Sequence, residues 1–183
     1  MPVDDAAKQT ALTIAPFDKA LHDRSAFSCG FGPIDNFLKS SLSEQINNGF
    51  VQAWIATEEG QSDVLGFYTL GAMAVRAGLG PKKWDQGRVG IPDIPVIYIR
   101  AVAVHEDMQG KGYGTALAVD AMKRCIGIAD QMGAAAIVLD VLKDEHFERR
   151  WKFYEELGFQ LLNDEGNPNR VYIPMADARA SLS

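Results

Sequence analysis

Three glycines fall within six residues at 109–114, in the stretch Gln-Gly-Lys-Gly-Tyr-Gly. The stretch lies between an apolar run at 96–104 and a segment at 112–132 that has the pattern of a helix. Amides at the beginning of a helix have no partner within the helix and carry the positive end of its dipole. Because glycine has no side chain to keep an anion away, this junction suits a phosphate or a pyrophosphate.

The spacing of these glycines excludes two common nucleotide-binding motifs. A P-loop requires Ser or Thr after its lysine, but Lys111 is followed by Gly112. The dinucleotide fingerprint requires Gly-x-Gly-x-x-Gly, whereas Gly110, Gly112 and Gly114 give Gly-x-Gly-x-Gly. Spacing alone therefore leaves two alternatives open, a pyrophosphate site and a tight turn without a ligand.

The elements that must position this stretch are predicted from hydrophobic periodicity. We expect α/β architecture in a single domain, residues 1–183, with a core over about 10–176. A glycine- and proline-rich loop is expected at about 77–95. Strands are predicted at 10–17, 50–57, 64–75, 96–104, 134–142, 159–162 and 170–175. Helices are predicted at 32–49, 112–132 and 144–158.

Composition restricts the class of protein. With 183 residues and 47% hydrophobic side chains, the chain is long and apolar enough for one globular domain. No apolar run approaches the length of a membrane span and the first residues lack the features of a signal peptide, so a cytoplasmic location is expected. Two cysteines and three scattered histidines predict neither a disulfide framework nor a metal site. The net charge of −6 argues against a generally basic nucleic-acid-binding surface.

Two motifs together resemble the GNAT family of N-acetyltransferases. The stretch at 109–114 fits the family's Gln/Arg-x-x-Gly-x-Gly/Ala motif at Gln109, Gly112 and Gly114. Some forty residues later, Phe-Tyr-Glu-Glu-Leu-Gly-Phe at 153–159 falls where the family has a similar segment. The resemblance covers nearly the whole chain. It implies the GNAT fold, a mixed, mostly antiparallel sheet of six to seven strands with splayed central strands and flanking helices.

The resemblance also implies a ligand and its site. Acetyl-CoA is the expected cosubstrate, with no metal. The loop that holds its pyrophosphate comprises Gln109, Gly110, Lys111, Gly112, Tyr113, Gly114 and Thr115. The strand that binds its pantetheine through the backbone comprises Val102, Ala103 and Val104. A free N–H near Val102 or Ala103 is expected to stabilise the oxyanion.

Tyr154 is the catalytic residue that the resemblance implies, as the donor to the leaving thiolate. A phenol has a pKa near 10 and stays protonated at pH 7, so it suits that role. The residues alone favour a packing aromatic beside Phe153. Glu106, Asp107 and Glu155 are acids near the site, but none of them is identified as a catalytic base.

The N-terminal part resembles the toxin branch of the family. Phe-Ser-Cys-Gly at 27–30, the helix at 32–49 and Val-Leu-Gly-Phe-Tyr-Thr-Leu at 64–70 match patterns of those toxins. The toxins acetylate the α-amine of aminoacyl-tRNA and are usually encoded beside a ribbon–helix–helix antitoxin. The resemblance therefore implies both partners here, and a homodimer is one option for the oligomeric state. An α-amine with a pKa near 7.7–8.0 needs less help from a base than a lysine amine near 10.4.

Three features depart from the pattern of the toxins. Counted back from Gln109, the arginine that the toxins carry before the loop falls on Ala101, and Arg100 is one residue away. Alternation along a strand predicts that these two side chains point to opposite faces. The asparagine and alanine frequent before Phe-Tyr are Phe147 and Arg150 here. Third, the chain is acidic, so a tRNA site requires a local basic surface, for which the candidates are Arg76, Lys82, Lys83, Arg88, Lys111, Arg149 and Arg150.

Three functional hypotheses remain at this point. The first is an acetyltransferase that acts on aminoacyl-tRNA as a toxin. The second is an acetyltransferase for a small-molecule or protein amine, which the acidic charge favours. The third is a domain that binds acetyl-CoA without turnover.

Overall fold

The computed structural model describes residues 11–86 and 93–183. Their strands are β1 Leu12–Pro16, β2 Gln52–Glu58, β3 Gly66–Arg76, β4 Asp93–Val104, β5 Ala136–Asp140, β6 Gln160–Leu161 and β7 Arg170–Pro174. They form one sheet of seven in the order β1-β2-β3-β4-β5-β7-β6. Every neighbouring pair is antiparallel except β4 and β5, which are parallel. The predicted mixed, mostly antiparallel sheet is thus confirmed.

Helices flank this sheet. They are α1 Gly32–Asn36, α2 Leu42–Asn47, α3 Tyr113–Met132, α4 Phe147–Glu156 and α5 Met175–Ser181. A π-helical turn, Phe37–Ser41, joins α1 to α2, and the N–H of Leu42 donates to the carbonyl of Phe37 five residues earlier. Periodicity predicted one continuous helix there, because the inserted residue of a π-turn leaves no mark in the pattern of apolar side chains. Helix α5 lay outside the predicted elements.

Two apolar layers cover the faces of the sheet. On one face, α3 buries Leu117, Ala121 and Cys125, which recur every four residues as an amphipathic helix requires. These side chains pack against the central strands β4 and β5. On the other face, Leu38 and Leu42 pack with residues of β2, β3 and β4 in a second cluster. The end of β4 therefore lies between the two helical layers.

Part of the predicted loop at 77–95 falls on residues 87–92, outside the described part of the chain. Its described beginning contains a 3₁₀ turn, Lys82–Trp84. Leu79 and Trp84 pack against a third apolar cluster, on the strands β4, β5 and β7. The prediction began β4 at 96, but the strand begins at Asp93.

Candidate active site

Strands β4 and β5 separate at the centre of the sheet. Their parallel ladder spans only Ile97–Ile99 against Ile137–Leu139. On its other edge, β4 stays paired with β3 as far as Val104. Within the described chain, the stretch from Arg100 to Val104 thus has no ladder partner on the β5 side. This opening is the splay that the family resemblance implies.

Backbone alternation decides which amides of β4 face the opening. The N–H of His105 donates to the carbonyl of Leu65 at 2.7 Å, on the side of β3. Since successive residues of a strand direct their amides to opposite edges, the amide of Ala103 also points to β3. The amides of Val102 and Val104 then face the opening. Of the two candidates for the oxyanion donor, alternation favours Val102 over Ala103.

The glycine loop follows directly at the end of β4. Gly110 and Gly112 have φ of 75° and 87°, in the left-handed region that other residues adopt at a cost. A Cβ added to either glycine would meet no other atom within 4 Å, so the space beside both is open. Gly112 precedes the 20-residue helix α3 and offers no side-chain cap. Open space beside uncapped amides is the environment that an anion requires.

The other predicted loop residues lie at the same junction. Lys111 and Thr115 are exposed, while Tyr113 and Gly114 are partly buried in the first turn of α3. A Cβ on Gly114 would lie 3.9 Å from the side chain of Val104. The structure thus places the seven loop residues between the end of β4 and the first turn of α3, which includes the last three of them.

Gln109 makes contacts within the protein. Its side-chain Nε2 donates to the carbonyl oxygens of Cys29 and Val104, each at 3.0 Å. Its backbone N–H donates to the carbonyl of Glu106 at 3.2 Å. The side-chain amide nitrogen has two protons, and the bonds to Cys29 and Val104 use both of them. Gln109 therefore shapes the loop, and its side-chain donors are not free for a pyrophosphate.

Tyr154 lies on α4 with its ring packed against the main apolar cluster. Phe153 and Phe159 contact it edge to face, with centroid distances of 5.1 and 5.7 Å. Its hydroxyl has no hydrogen-bonding partner among the described residues. Burial raises the pKa of Tyr154 to about 12, although the nearby Arg150 guanidinium opposes the shift. The hydroxyl is thus protonated at neutral pH and available as a donor.

A β-bulge changes the expected position of Arg100. Ala101 pairs with Thr69, but the next residue of β3, Leu70, pairs with Ile99, so Arg100 is the extra residue. The Arg100 guanidinium lies 5.4 Å from the ring of Phe37, in the same cluster as Ala101. The expectation that Arg100 and Ala101 face opposite sides was wrong, because it assumed an unbroken alternation.

A polar network near the opening was missed at the sequence level. Asp140 ends β5, one residue beyond the last pair of the β4–β5 ladder. Its carboxylate accepts two hydrogen bonds from Arg170 and one, at 2.9 Å, from the hydroxyl of Tyr98. Burial alone would raise the pKa of Asp140, but these donors outweigh it and lower the pKa. No short-range motif links residues so far apart in sequence, so only the fold reveals the network.

The predicted basic residues have different surroundings. Arg150 pairs with the carboxylate of Asp144, whereas Arg149 is exposed. Arg76, Lys82 and Lys83 are exposed as well. Arg88 lies outside the described residues. Of the two arginines of helix α4, Arg149 is therefore the exposed one.

The described residues offer little support for a cysteine nucleophile or a metal site. Cys29 is a free, half-buried thiol, and burial raises its pKa to about 11, which makes it a poor nucleophile. Among the residues that the structure describes, no three His, Cys, Asp or Glu side chains are grouped to hold a metal. No helix of the described chain is long and apolar enough to cross a membrane.

The fold and the loop define a class of protein. Residues 24–159 match the acetyltransferase (GNAT) family, and the chain belongs to that family. It is 35% identical over 172 residues to the probable toxin TacT of Sinorhizobium fredii, which covers 92% of this chain and 94% of the relative. It is 33% identical over 164 residues to a tRNA-acetylating toxin of Mycobacterium tuberculosis, which covers 87% and 90% respectively.

Solved structures of the toxin AtaT have the same fold. AtaT complexed with acetyl-methionyl-tRNAfMet superposes with a TM-score of 0.82 at 27% identity, covering 94% of this chain and 100% of that one. A tyrosine-to-phenylalanine mutant of AtaT, bound to the C-terminus of the antitoxin AtaR and acetyl-CoA, gives 0.76 at 25% identity, covering 92% and 96%.

Proposed function

We propose that this acetyltransferase moves the acetyl group of acetyl-CoA to the α-amine of an aminoacyl-tRNA. The observation that carries the proposal is the glycine loop with open space at the end of a splayed strand. The names of the relatives, a tRNA-acetylating toxin and a probable toxin, support the choice of acceptor. Charged tRNA is a cytoplasmic molecule, so the proposal places the enzyme in the cytoplasm.

The residues at the loop fit acetyl-CoA. The uncapped amides of Tyr113, Gly114 and Thr115 and the left-handed glycines before them suit the pyrophosphate. The exposed ammonium of Lys111 adds positive charge at the same place. The backbone amides of Val102 and Val104 face the opening between β4 and β5, where they can bond the amide groups of the pantetheine arm. When bound, acetyl-CoA supplies a thioester that an uncharged amine attacks.

Two groups of the chain then act on charge that develops during the reaction. The N–H of Val102 faces the opening and donates to the carbonyl oxygen as it becomes negative. The Tyr154 hydroxyl donates to the leaving sulfur. Because the pKa of Tyr154 is about 12 and that of the thiolate's conjugate acid lies near 8.5, the hydroxyl stabilises the leaving thiolate by a hydrogen bond and keeps its own proton. The proton that the amine loses passes to water.

No carboxylate is needed as a strong base for this acceptor. The pKa of an α-amine lies near 7.7–8.0, so roughly a tenth to a sixth of it is uncharged at pH 7, against about 0.04% of a lysine amine. Glu106 accepts a hydrogen bond from Ser28, and Asp107 and Glu155 are exposed to solvent. We assign none of the three to proton removal.

The acceptor is tested by incubating the enzyme with labelled acetyl-CoA and total charged tRNA. Label should enter the charged tRNA and be released with the amino acid when the ester is hydrolysed. Uncharged tRNA is the matched control and should stay unlabelled. Label in a free amine or a lysine peptide, with none in charged tRNA, would instead support the second acceptor class, which the net charge of −6 favours.

We also propose a ribbon–helix–helix antitoxin as a protein partner. The complex of AtaT with the C-terminus of its antitoxin AtaR supports this proposal. Expression of the chain alone should stop growth, and co-expression of a neighbouring small ribbon–helix–helix gene should restore it. Normal growth with the enzyme active and expressed alone would contradict the toxin role.

A further inference from the structure

The segment at 26–29, just before helix α1, contacts the loop at 105–109 that precedes α3. The N–H of Glu106 donates to the carbonyl of Ser28 at 2.8 Å. The Ser28 hydroxyl donates in turn to the Glu106 carboxylate. The His105 ring nitrogen Nε2 lies 3.2 Å from the carbonyl oxygen of Ala26. We call these two segments, 26–29 and 105–109, the latch.

Gln109 closes the latch next to the glycine loop. One amide proton bonds the carbonyl of Cys29 in the first segment, and the other bonds Val104 at the end of β4. The residue that follows is Gly110, the first of the two left-handed glycines. The backbone conformation of the glycine loop is thus set from segment 26–29 as well as from β4.

The latch is anchored in the core and continues into helix α1. Phe27 is almost fully buried and packs edge to face on Phe67 and His105, at 5.6 and 5.9 Å between ring centroids. The N–H of Cys29 donates to the carboxylate of Asp35 on α1 at 2.9 Å. Helix α1 and the π-turn after it lie on the face of the sheet where Arg100 projects toward Phe37. The latch therefore connects the glycine loop to the face of the sheet that carries α1 and the π-turn, opposite the face that α3 covers.

We infer that the latch positions the glycine loop for acetyl-CoA and transmits its binding to helix α1. The inference rests on the proposed function, in which the loop holds the pyrophosphate. Ser28, Glu106 and Gln109 act as positioning residues, because their donors and acceptors are used within the protein. Binding that stiffens the loop also stiffens segment 26–29, and by thermodynamic reciprocity an ordered α1 side favours acetyl-CoA.

The first test is a double-mutant cycle on the pair Ser28 and Glu106, with acetyl-CoA affinity measured by calorimetry. Ser28→Ala and Glu106→Ala should each raise the Kd about two- to tenfold, the effect of one lost hydrogen bond. The double variant should bind no more weakly than the weaker single variant, because the two residues act as a unit. Glu106→Gln keeps an acceptor for Ser28 and should bind nearly as the wild type does.

Ser25→Ala is the matched control, since Ser25 lies three residues away and donates to Asp23 outside the latch. Its Kd should stay at the wild-type value. In steady-state kinetics, the latch variants should raise the KM for acetyl-CoA while kcat is retained. Loss of fold is monitored by thermal unfolding, and a lower kcat with an unchanged KM would overturn the inference.

The second test measures hydrogen exchange at the amide of Cys29 with and without saturating acetyl-CoA. Acetyl-CoA should slow this exchange in the wild type and should slow it less in Glu106→Ala. Tight acetyl-CoA binding with no change in hydrogen exchange at the Cys29 amide would overturn the inference but not the proposed function. Folded Ser28→Ala and Glu106→Ala variants with an unchanged Kd would have the same consequence. A wild-type enzyme that does not bind acetyl-CoA would overturn the proposed function and the inference with it.

Discussion

Tyr154 on helix α4 packs edge to face against Phe159, which lies beyond the end of that helix, with ring centroids 5.7 Å apart. Phe153 contacts the same tyrosine ring at 5.1 Å. These two contacts hold the ring without any bond to its hydroxyl, so the position of the hydroxyl does not depend on a hydrogen-bonding partner. A prepositioned donor of this kind loses little entropy when the reaction requires it.

Tyr154→Phe should therefore lower kcat by about 10²–10³-fold, the usual effect of removing one hydrogen-bond donor to charge that develops in the transition state. The affinity for acetyl-CoA should change little, because the phenylalanine ring preserves the packing. Single-turnover kinetics and calorimetry measure the two effects separately. Tyr172→Phe, on β7, is the control and should keep wild-type turnover. Full turnover by Tyr154→Phe would leave this residue a packing role only.

The pH dependence should follow the acceptor at low pH and Tyr154 at high pH. The amine must be uncharged, so the rate should rise as the pH passes through the pKa of an α-amine, near 7.7–8.0. Tyr154 must be protonated, and its pKa of about 12 lies above the ordinary phenol value. The activity should therefore show no decline as the pH rises to about 10. A rate profile between pH 6 and 9.5 checks this. A decline beginning near pH 9 would indicate a different acid.

The sequence predicted most of the fold because periodicity and glycine spacing are local signals. The order of strands and helices around the loop at 109–114 followed from apolar patterns alone. Arg100 was misplaced because a bulge interrupts the alternation on which the prediction depended. Helix α5 was missed since its seven residues are too few for a helical period to stand out.

Long-range polar contacts were not predictable. The bond from Gln109 to Cys29 joins residues 80 positions apart, and Asp140 meets Arg170 across 30. Neither pair has a spacing that secondary structure would explain. The Phe-Ser-Cys-Gly segment was recognised as a motif by resemblance, and the structure supplies its physical basis in the backbone contacts of Ser28 and Cys29.

Gly112 should tolerate alanine better than glutamate. Gly112→Ala places a side chain at φ 87° with no steric clash, so it should cost about 1–2 kcal/mol of stability. Gly112→Glu adds a negative charge beside the pyrophosphate site. Like charges about 4 Å apart repel by roughly 4 kcal/mol at an effective dielectric near 20, which corresponds to a loss of acetyl-CoA affinity of about 1,000-fold.

Gly49 provides the matched control for this pair. It has a φ of 73° and equally open space beside it, at the end of α2. Gly49→Ala and Gly49→Glu should lose comparable stability by thermal unfolding while they bind acetyl-CoA as the wild type does. Equal losses of affinity at both positions would mean that strain, and not the site, explains the effect at Gly112.

The contact with the tRNA backbone is tested at Arg149. Its guanidinium is exposed on α4, the helix that carries Tyr154, whereas Arg150 is held by Asp144. If Arg149 contacts a phosphate, Arg149→Glu should weaken tRNA binding and reduce the slope of log K against log salt by about 1. Acetyl transfer to a small α-amine should continue, because the glycine loop and Tyr154 are unchanged.

Arg179→Glu makes the same reversal of charge at a place far from the glycine loop. Arg179 pairs with Asp130, which lies 18 residues along α3 from Gly112, or about 27 Å at the rise of an α-helix. This control should leave the salt slope for tRNA at its wild-type value. Equal slopes for Arg149→Glu and the wild type would place the tRNA backbone away from α4. Equal losses at Arg149 and Arg179 would show that net charge, and not a local contact, controls the binding of tRNA.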